Sequence, residues 1–238
     1  YHWRRAEGSV AGQTEAKGDL GSLQCTAVSQ HLKRMKLQAM AQPGKAAHRA
    51  TVVPSQRVKH PRVSILIPTK DAPEMLDKCL TSIQALSTYP NYQIICADND
   101  TTDPKALEVM RRPGVERLPC PGKFNFSRVN NLAVTYSSGD YLVFLNNDIE
   151  VISPGWMEEL LYYAEQPDAG AVGALLLFPN RTVQHAGIVL GFRGTADHVL
   201  RGHPADSDGY AGTQACAREV SAVTAACMMV RRETFLEA

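Results

Sequence analysis

The chain has 238 residues, 44% hydrophobic and 21% charged, with a formal net charge of +1. This is globular composition, long enough for one sizeable core, and no apolar run approaches the roughly 20 residues of a membrane-spanning helix. The small net charge hides an asymmetry: residues 1–60 hold ten Lys or Arg against three Asp or Glu, and residues 61–238 hold fifteen against twenty-one. A mildly acidic body is a poor nucleic-acid binder, so no nucleic-acid partner is expected. The basic arm has the charge for peripheral contact with an anionic membrane surface, although a solvated linker is the favoured reading.

No secretory signal opens the chain, and it does not begin with methionine. It stops at RRETFLEA, which reads as the first turns of a helix with no breaker after it. The expectation is a piece of a longer polypeptide with further domains, cut at both ends. Six cysteines, at 25, 79, 96, 120, 216 and 227, form no CxxC pair and no metal-type spacing. They read as small buried thiols in a reducing compartment, which places the protein in the cytoplasm, at most peripheral to the inner face of its membrane.

Residues 1–60 read as a basic arm. Within it, VSQHLKRMKLQAM (28–40) places Val28, Leu32, Met35 and Ala39 at helical spacing, and 42–60 reads as a connector. The body begins with VSILIP (63–68), a continuous apolar strand stopped by a proline. In DAPEMLDKCLTSIQAL, Asp71 is placed to cap, Pro73 suits the first turn, and Leu76, Cys79, Leu80, Ile83 and Leu86 share one face. YQIICA (92–97) is the next strand and DNDTTDP (98–104) the next loop, with Thr102-Asp103-Pro104 as a helix start. A weak strand at 115–118 precedes SRVNNLAVTYSS, with Ser127 as cap, and then comes YLVFL (141–145). SPGWMEELLYYAEQ (153–166) reads as a capped amphipathic helix and GAVGALLLF (170–178) as one buried strand.

Apolar strands alternating with amphipathic helices imply an α/β fold: a mostly parallel sheet covered on both faces. Ligands of such sheets sit at the carboxyl ends of the strands. Three polar clusters follow strands here: Thr69-Lys70-Asp71, Asp98 to Asp103, and Asn146-Asn147-Asp148. If their strands are neighbours, all three line one crevice. Asp148 is a hard oxygen ligand suited to Mg²⁺ or Mn²⁺, with an Asx turn as the alternative; Asp98 and its neighbours suit hydrogen bonds to a nucleobase or ribose. The chain has no GxGxxG fingerprint, no Walker A sequence and no GxSxG elbow. His185, in TVQHAGIVL, has no second His or Cys at ligand spacing, so a structural role competes with that of a metal or supporting ligand.

VSILIPTKD, IICADNDTTDP and GDYLVFLNNDIEVISPGWMEEL, in this order, resemble the family 2 glycosyltransferases, which have the GT-A type fold, Rossmann-like. The likeness runs on through FNFSRVNNLA, GAVGALLLFPNRTVQHAGIVLG and SAVTAACMMVRRETF, similar to bacterial members that build O-antigen and other surface polysaccharides, and covers residues 61–238. It implies transfer of a sugar from a nucleotide-diphosphate donor to a hydroxyl of a glycan or lipid-linked acceptor, assisted by a divalent metal and with inversion of the anomeric centre. The family's DxD metal motif falls on Asn146-Asn147-Asp148, degenerate in its first position, so Asp148 is the metal ligand. Nucleotide contacts fall on Pro68, Thr69, Lys70, Asp98, Asn99, Asn130, Asn131, Asn146 and Asn147, and acceptor-side contacts on Trp156 and His185. For Trp156 an aromatic anchor is the equal alternative. The implied general base, a carboxylate, lies beyond Ala238; Glu150 and Asp197 are weighed as stand-ins without support. A non-catalytic donor-binding module of a multi-domain synthase is the competing reading, and a sugar-1-phosphate nucleotidyltransferase ranks third because PTKDAPE is no glycine-rich basic loop.

Overall fold

The computed structural model describes residues 19–44, 49–55, 59–192, 194–209 and 212–238. Contacts divide the chain into two units, Tyr1–Gln56 with Asp208–Ala217, and Arg57–Ser207 with Arg218–Ala238. In the first unit, α1 (Leu20–Arg34) begins well before residue 28, because the Asp19 carboxylate accepts the Ser22 N–H at 3.0 Å and caps it. The stretch expected as a connector contains a strand: β1 (Ala39–Pro43) pairs antiparallel with β2 (Ala50–Pro54). Pro43 and Pro54 end their strands, where the missing N–H costs the ladder little.

The second unit is built on a six-stranded sheet of β3 (Val63–Thr69), β4 (Tyr92–Asp98), β5 (Val115–Pro119), β6 (Tyr141–Leu145), β7 (Val172–Gly173) and β12 (Cys227–Arg231). Its order is β5-β4-β3-β6-β12-β7. β5, β4, β3 and β6 are mutually parallel, and β12 runs antiparallel between β6 and β7. The chain winds outward from β3 to β5, then returns to β6 on the other side of β3. Right-handed crossovers must change face when that direction reverses. Accordingly α2 (Pro73–Leu86) and α3 (Pro104–Val109) cover one face, and α4 (Phe126–Tyr136) covers the other.

The strands alternate between two cores. Ile65, Ile67, Ile94, Cys96, Val143 and Leu145 join Leu76, Leu80 and Ile83 of α2, with Met157 and Leu161 of α5 (Trp156–Ala164). Leu66, Ile95, Ala97, Leu142 and Phe144 face Val129, Ala133 and Val134 of α4, and Phe235 of α6 (Arg232–Glu237) packs there too. Strands buried on both faces are apolar nearly throughout, which is why VSILI and YLVFL carry no alternation. The α/β fold with a mostly parallel sheet and helices on both faces is the one expected.

Three local expectations change. GAVGALLLF is not one strand: Val172–Gly173 pairs with β12, and β8 (Leu176–Leu177) pairs with β9 (Val183–His185). α4 is capped by Asn125, whose side chain accepts the Arg128 N–H at 2.8 Å, not by Ser127. α5 begins at Gly155 with no side-chain cap. A hairpin, β10 (Ile188–Phe192) with β11 (Thr195–His198), completes the unit.

Candidate functional site

β3 lies between β4 and β6, so the loops after these three parallel strands leave the same rim side by side. They are also bonded to one another. Asn147 Nδ2 donates to the Thr69 hydroxyl at 3.1 Å, and the Asn99 N–H to the Thr69 carbonyl at 2.9 Å. The Asp71 N–H donates to Thr101 Oγ1 at 3.1 Å. Asp71 and Ala72 both adopt the left-handed conformation, with φ of 50° and 53°. This turns the Asp71 carboxylate away from α2, which it was expected to cap, and toward the N–H groups of Thr102 and Asp103, at 2.8 and 2.9 Å. Those donors hold its carboxyl below the usual carboxylate range, the Asp103 N–H most.

Around the loop after β4 the expected contacts are already committed inside the protein. The Asp98 side chain is fully buried; Oδ2 accepts from Arg117 Nε at 2.7 Å and Nη2 at 2.6 Å, and Oδ1 takes the Thr101 N–H at 2.9 Å. Asn99 spends its amide nitrogen on the carbonyls of Cys120 and Gly122, both at 2.8 Å. Asp98 and Asn99 therefore shape the loop, and Asp100, exposed and left-handed at φ 60°, stands at its tip. Its Oδ2 accepts the Gly122 N–H at 2.8 Å. Arg117 was not foreseen: in VERLP nothing local tells which carboxylate an arginine will meet.

Of the remaining β3 residues, Pro68 is half-buried, Thr69 is buried and Lys70 is exposed. On α4, Asn131 is exposed and Asn130 is 3% exposed. Asn130 Nδ2 donates to the Phe126 carbonyl at 2.9 Å, which fixes the orientation of the amide, because that carbonyl only accepts. Among the described residues, Asn130 Oδ1 is then left buried without a partner. A bare buried acceptor costs about 1–3 kcal/mol, so a donor, from water or from a ligand, is expected at this position.

The turn after β6 is held by its backbone. The Asn146 N–H donates to the Ala226 carbonyl at 3.0 Å, and its own carbonyl accepts the Ile149 N–H at 3.3 Å. Asn146 and Asn147 are half-buried; Asp148 is exposed, and among the described residues no ion pair or hydrogen bond engages its carboxylate. It lies near enough to Cys79 to help raise that thiol, which burial chiefly pushes up to about 12. Cys96 and Cys227 are likewise buried, free and raised to about 12; Cys120 is buried too, but Cys216 is exposed and Cys25 half-buried, so the expectation of buried thiols holds for four of the six.

Among the described residues, no group of three or more His, Cys, Asp or Glu is arranged to hold a metal. One free carboxylate with an amide oxygen beside it fits a cation that takes its other ligands from phosphate and water. Asp148 with Asn147, whose nitrogen is spent on Thr69, meets that description.

Trp156 is not brought to this rim. Its Nε1 donates to Ser87 Oγ at 3.0 Å, just past the C-terminal end of α2. α2 returns across the sheet, so that end lies by the amino rim, and Trp156 there is an anchor packed on the core. His185 is buried, and it does have a second histidine: its Nδ1 lies 2.8 Å from Nδ1 of His198. The β10–β11 hairpin returns His198 opposite Ile188, just past His185, and this, not sequence spacing, brings the two rings together.

A family model described as glycosyl transferase family 2 matches residues 64–237. The O-antigen biosynthesis protein RfbC of Myxococcus xanthus is 36% identical over 248 aligned residues, which take in 99% of this chain and 19% of that protein. The uncharacterized protein y4gI of Sinorhizobium fredii (strain NBRC 101917 / NGR234) is 35% identical over 99% of this chain and 26% of its own length. The chain thus spans about a fifth to a quarter of these curated relatives. Among solved structures, the mannosyltransferase PcManGT from Pyrobaculum calidifontis, in complex with GDP-Man and Mn²⁺, is similar at a TM-score of 0.45 and 16% identity, over 67% of this chain and 45% of that one. S. aureus TarS 1-349 follows at a TM-score of 0.39 and 16% identity, over 46% of this chain and 34% of that one.

Proposed function

The chain belongs to glycosyl transferase family 2, and from that membership we propose that it moves a sugar from a nucleoside-diphosphate donor to a hydroxyl of a glycan or lipid-linked acceptor, with inversion, in the assembly of a surface polysaccharide. The observation that carries this reading is the unengaged carboxylate of Asp148, on the same rim as the loop at 98–103 and tied to it through Asn147, Thr69 and Asn99.

Asp148 and the oxygen of Asn147 would hold a divalent cation, Mn²⁺ or Mg²⁺. Such an ion supplies neutralisation of the negative charge that grows on the departing diphosphate. The chain's own residues bind and orient the donor. Lys70, exposed at the end of β3, draws the anionic donor to the rim. Asn130 Oδ1 accepts from a hydroxyl or N–H of the donor; it cannot serve a phosphate oxygen, which has no proton to give. Asp100, at the tip of the β4 loop, is placed to accept from the base or ribose, with Asp98 and Asn99 holding the loop's shape. The enzyme works at the cytoplasmic side of the membrane, meeting a lipid-linked acceptor peripherally; among the described residues no helix is long and apolar enough to cross a bilayer.

The test is calorimetric titration of UDP, dTDP and GDP with and without Mn²⁺. One nucleotide binds in a Mn²⁺-dependent manner, and Asp148→Ala weakens it at least about tenfold, roughly 1.4 kcal/mol. Metal-dependent binding that survives the substitution removes Asp148 from the site. Asn146, where the family's motif begins with Asp, supports a second reading, a donor-binding module without turnover; release of free nucleotide from the matching nucleotide sugar rules it out.

A further inference from the structure

Both ring nitrogens of the buried His185 are engaged. Nε2 accepts the backbone N–H of Thr224 at 3.4 Å. A backbone N–H can only donate, so Nε2 is bare and the proton of the neutral ring sits on Nδ1. His185 Nδ1 therefore donates to His198 Nδ1 at 2.8 Å, and His198 keeps its own proton on Nε2. The rings meet edge to face, 4.9 Å between centroids at 82°. A further proton on Nδ1 of His198 would set two N–H groups against each other, and one on Nε2 of His185 would confront the Thr224 N–H. The pair closes only while both rings are neutral.

The contact made by His185 reaches the turn that presents Asp148. Thr224 Oγ1 accepts the Ala226 N–H at 3.4 Å, and the Ala226 carbonyl accepts the Asn146 N–H at 3.0 Å. Little slack exists at the junction. A methyl group on Gly173 would lie 2.7 Å from Val223 Cβ and 3.4 Å from His185 Nε2, so β7 fits there only as glycine.

We propose that His185 is a positioning residue for the Asn146–Asp148 turn: through Thr224 and Ala226 it sets where Asp148 stands, and proton uptake by the His185–His198 pair releases it. The consequence for donor binding rests on the reading of Asp148 given above; the positioning does not. Among the described residues, two ionisable side chains bond to the backbone beside the pair. Asp197 on β11 accepts the His198 backbone N–H at 2.7 Å, and Arg218 donates to the Ala186 carbonyl, next to His185, at 2.7 Å. β8 and residues 222–226 bring no ionisable side chain. Burial first, and His198 second, hold the His185 ring neutral down to about 4.

The experiment is NMR on the ¹⁵N-labelled 238-residue chain, without metal, from neutral pH to about pH 4. Long-range imidazole correlations place the proton of His185 on Nδ1 and that of His198 on Nε2. The amide signals of Asn146, Asn147, Asp148 and Ala226 shift with the same inflection as the rings. His185→Gln, which accepts the Thr224 N–H without ionising, keeps the neutral-pH signals and loses the inflection; His185→Ala displaces them at neutral pH. A proton found on His185 Nε2, turn signals that ignore the rings, or an alanine variant that leaves the turn unmoved overturns the proposal. Mn²⁺ added last tests Asp148 separately: failure to broaden its signal defeats the metal reading and leaves the positioning intact.

Discussion

Arg117 places Nε and Nη2 on a single oxygen of Asp98, at 2.7 and 2.6 Å, and the other oxygen takes the Thr101 N–H. The Asp98 side chain is fully buried, the Arg117 side chain 42% exposed. The pair thus fixes the loop after β4 from beneath, and Arg117→Met leaves a buried charge without its partner. Losing one member of a fully buried pair costs about 3–5 kcal/mol; with Arg117 partly in water, a loss on the order of 2 kcal/mol is expected. Urea unfolding measures it. An unchanged midpoint would mean that Asp98 finds water or another donor.

Asn130 offers a substitution that separates folding from binding. Its Oδ1 is buried and bare, so Asn130→Leu removes an unsatisfied acceptor together with one hydrogen bond to Phe126. The two effects oppose each other, and the unfolding midpoint stays near that of the parent or rises. Nucleotide affinity falls about tenfold if a donor group of the ligand normally fills the position. Calorimetry and urea unfolding on the same preparation read both; lost stability with unchanged affinity would make Asn130 a purely internal residue.

What the sequence disclosed follows from how far each feature depends on its neighbours in space. VSILI, YQIICA and YLVFL declare themselves as central strands because burial on both faces demands mostly apolar runs, with Ser64 and Gln93 bonded to each other where they interrupt them. The polar residues that end them share a rim because parallel strands share a direction. GAVGALLLF has the same composition but divides, since Val172–Gly173 and Leu176–Leu177 find different partners. Asp71 has the side chain of a cap, yet two successive left-handed residues turn it onto the neighbouring loop. Arg117 and His198 were invisible for a related reason: each matters through one contact that only the tertiary fold creates. Asp148 was legible as a carboxylate at the end of an apolar strand, but that its strand neighbours β3 came only from the strand order.

Gly139 probes the opposite rim. A Cβ there would lie 2.5 Å from Ser64 Oγ and 2.6 Å from Ser64 N, beside a network in which Ser64, Ser138 and Gln93 share hydrogen bonds. Gly139→Ala forces β3 and the start of β6 apart and is expected to cost about 1–3 kcal/mol, as overpacking does. Nucleotide binding by the folded fraction is unchanged, because the carboxyl rim lies a strand's length away. Calorimetry below the unfolding temperature checks the second point and unfolding the first.

The pH dependence of stability has two parts of known sign. His185 is held neutral down to about 4 in the folded chain, against an ordinary value of 6.5. Between these values the unfolded chain binds a proton that the folded chain refuses, so stability falls as pH drops from about 6.5 to about 4 and then ceases to fall on this account. The loss is on the order of 3 kcal/mol. Asp71 acts lower: its carboxyl is depressed by the N–H groups of Asp103 and Thr102, so its contribution persists above the ordinary 3.8 and fades as pH falls through the depressed value. Urea unfolding of the parent and of His185→Gln across this range separates the two. The variant loses the upper step and keeps the lower one; a parent curve flat from neutrality to about pH 4 would mean that the His185 ring opens to water before it is charged.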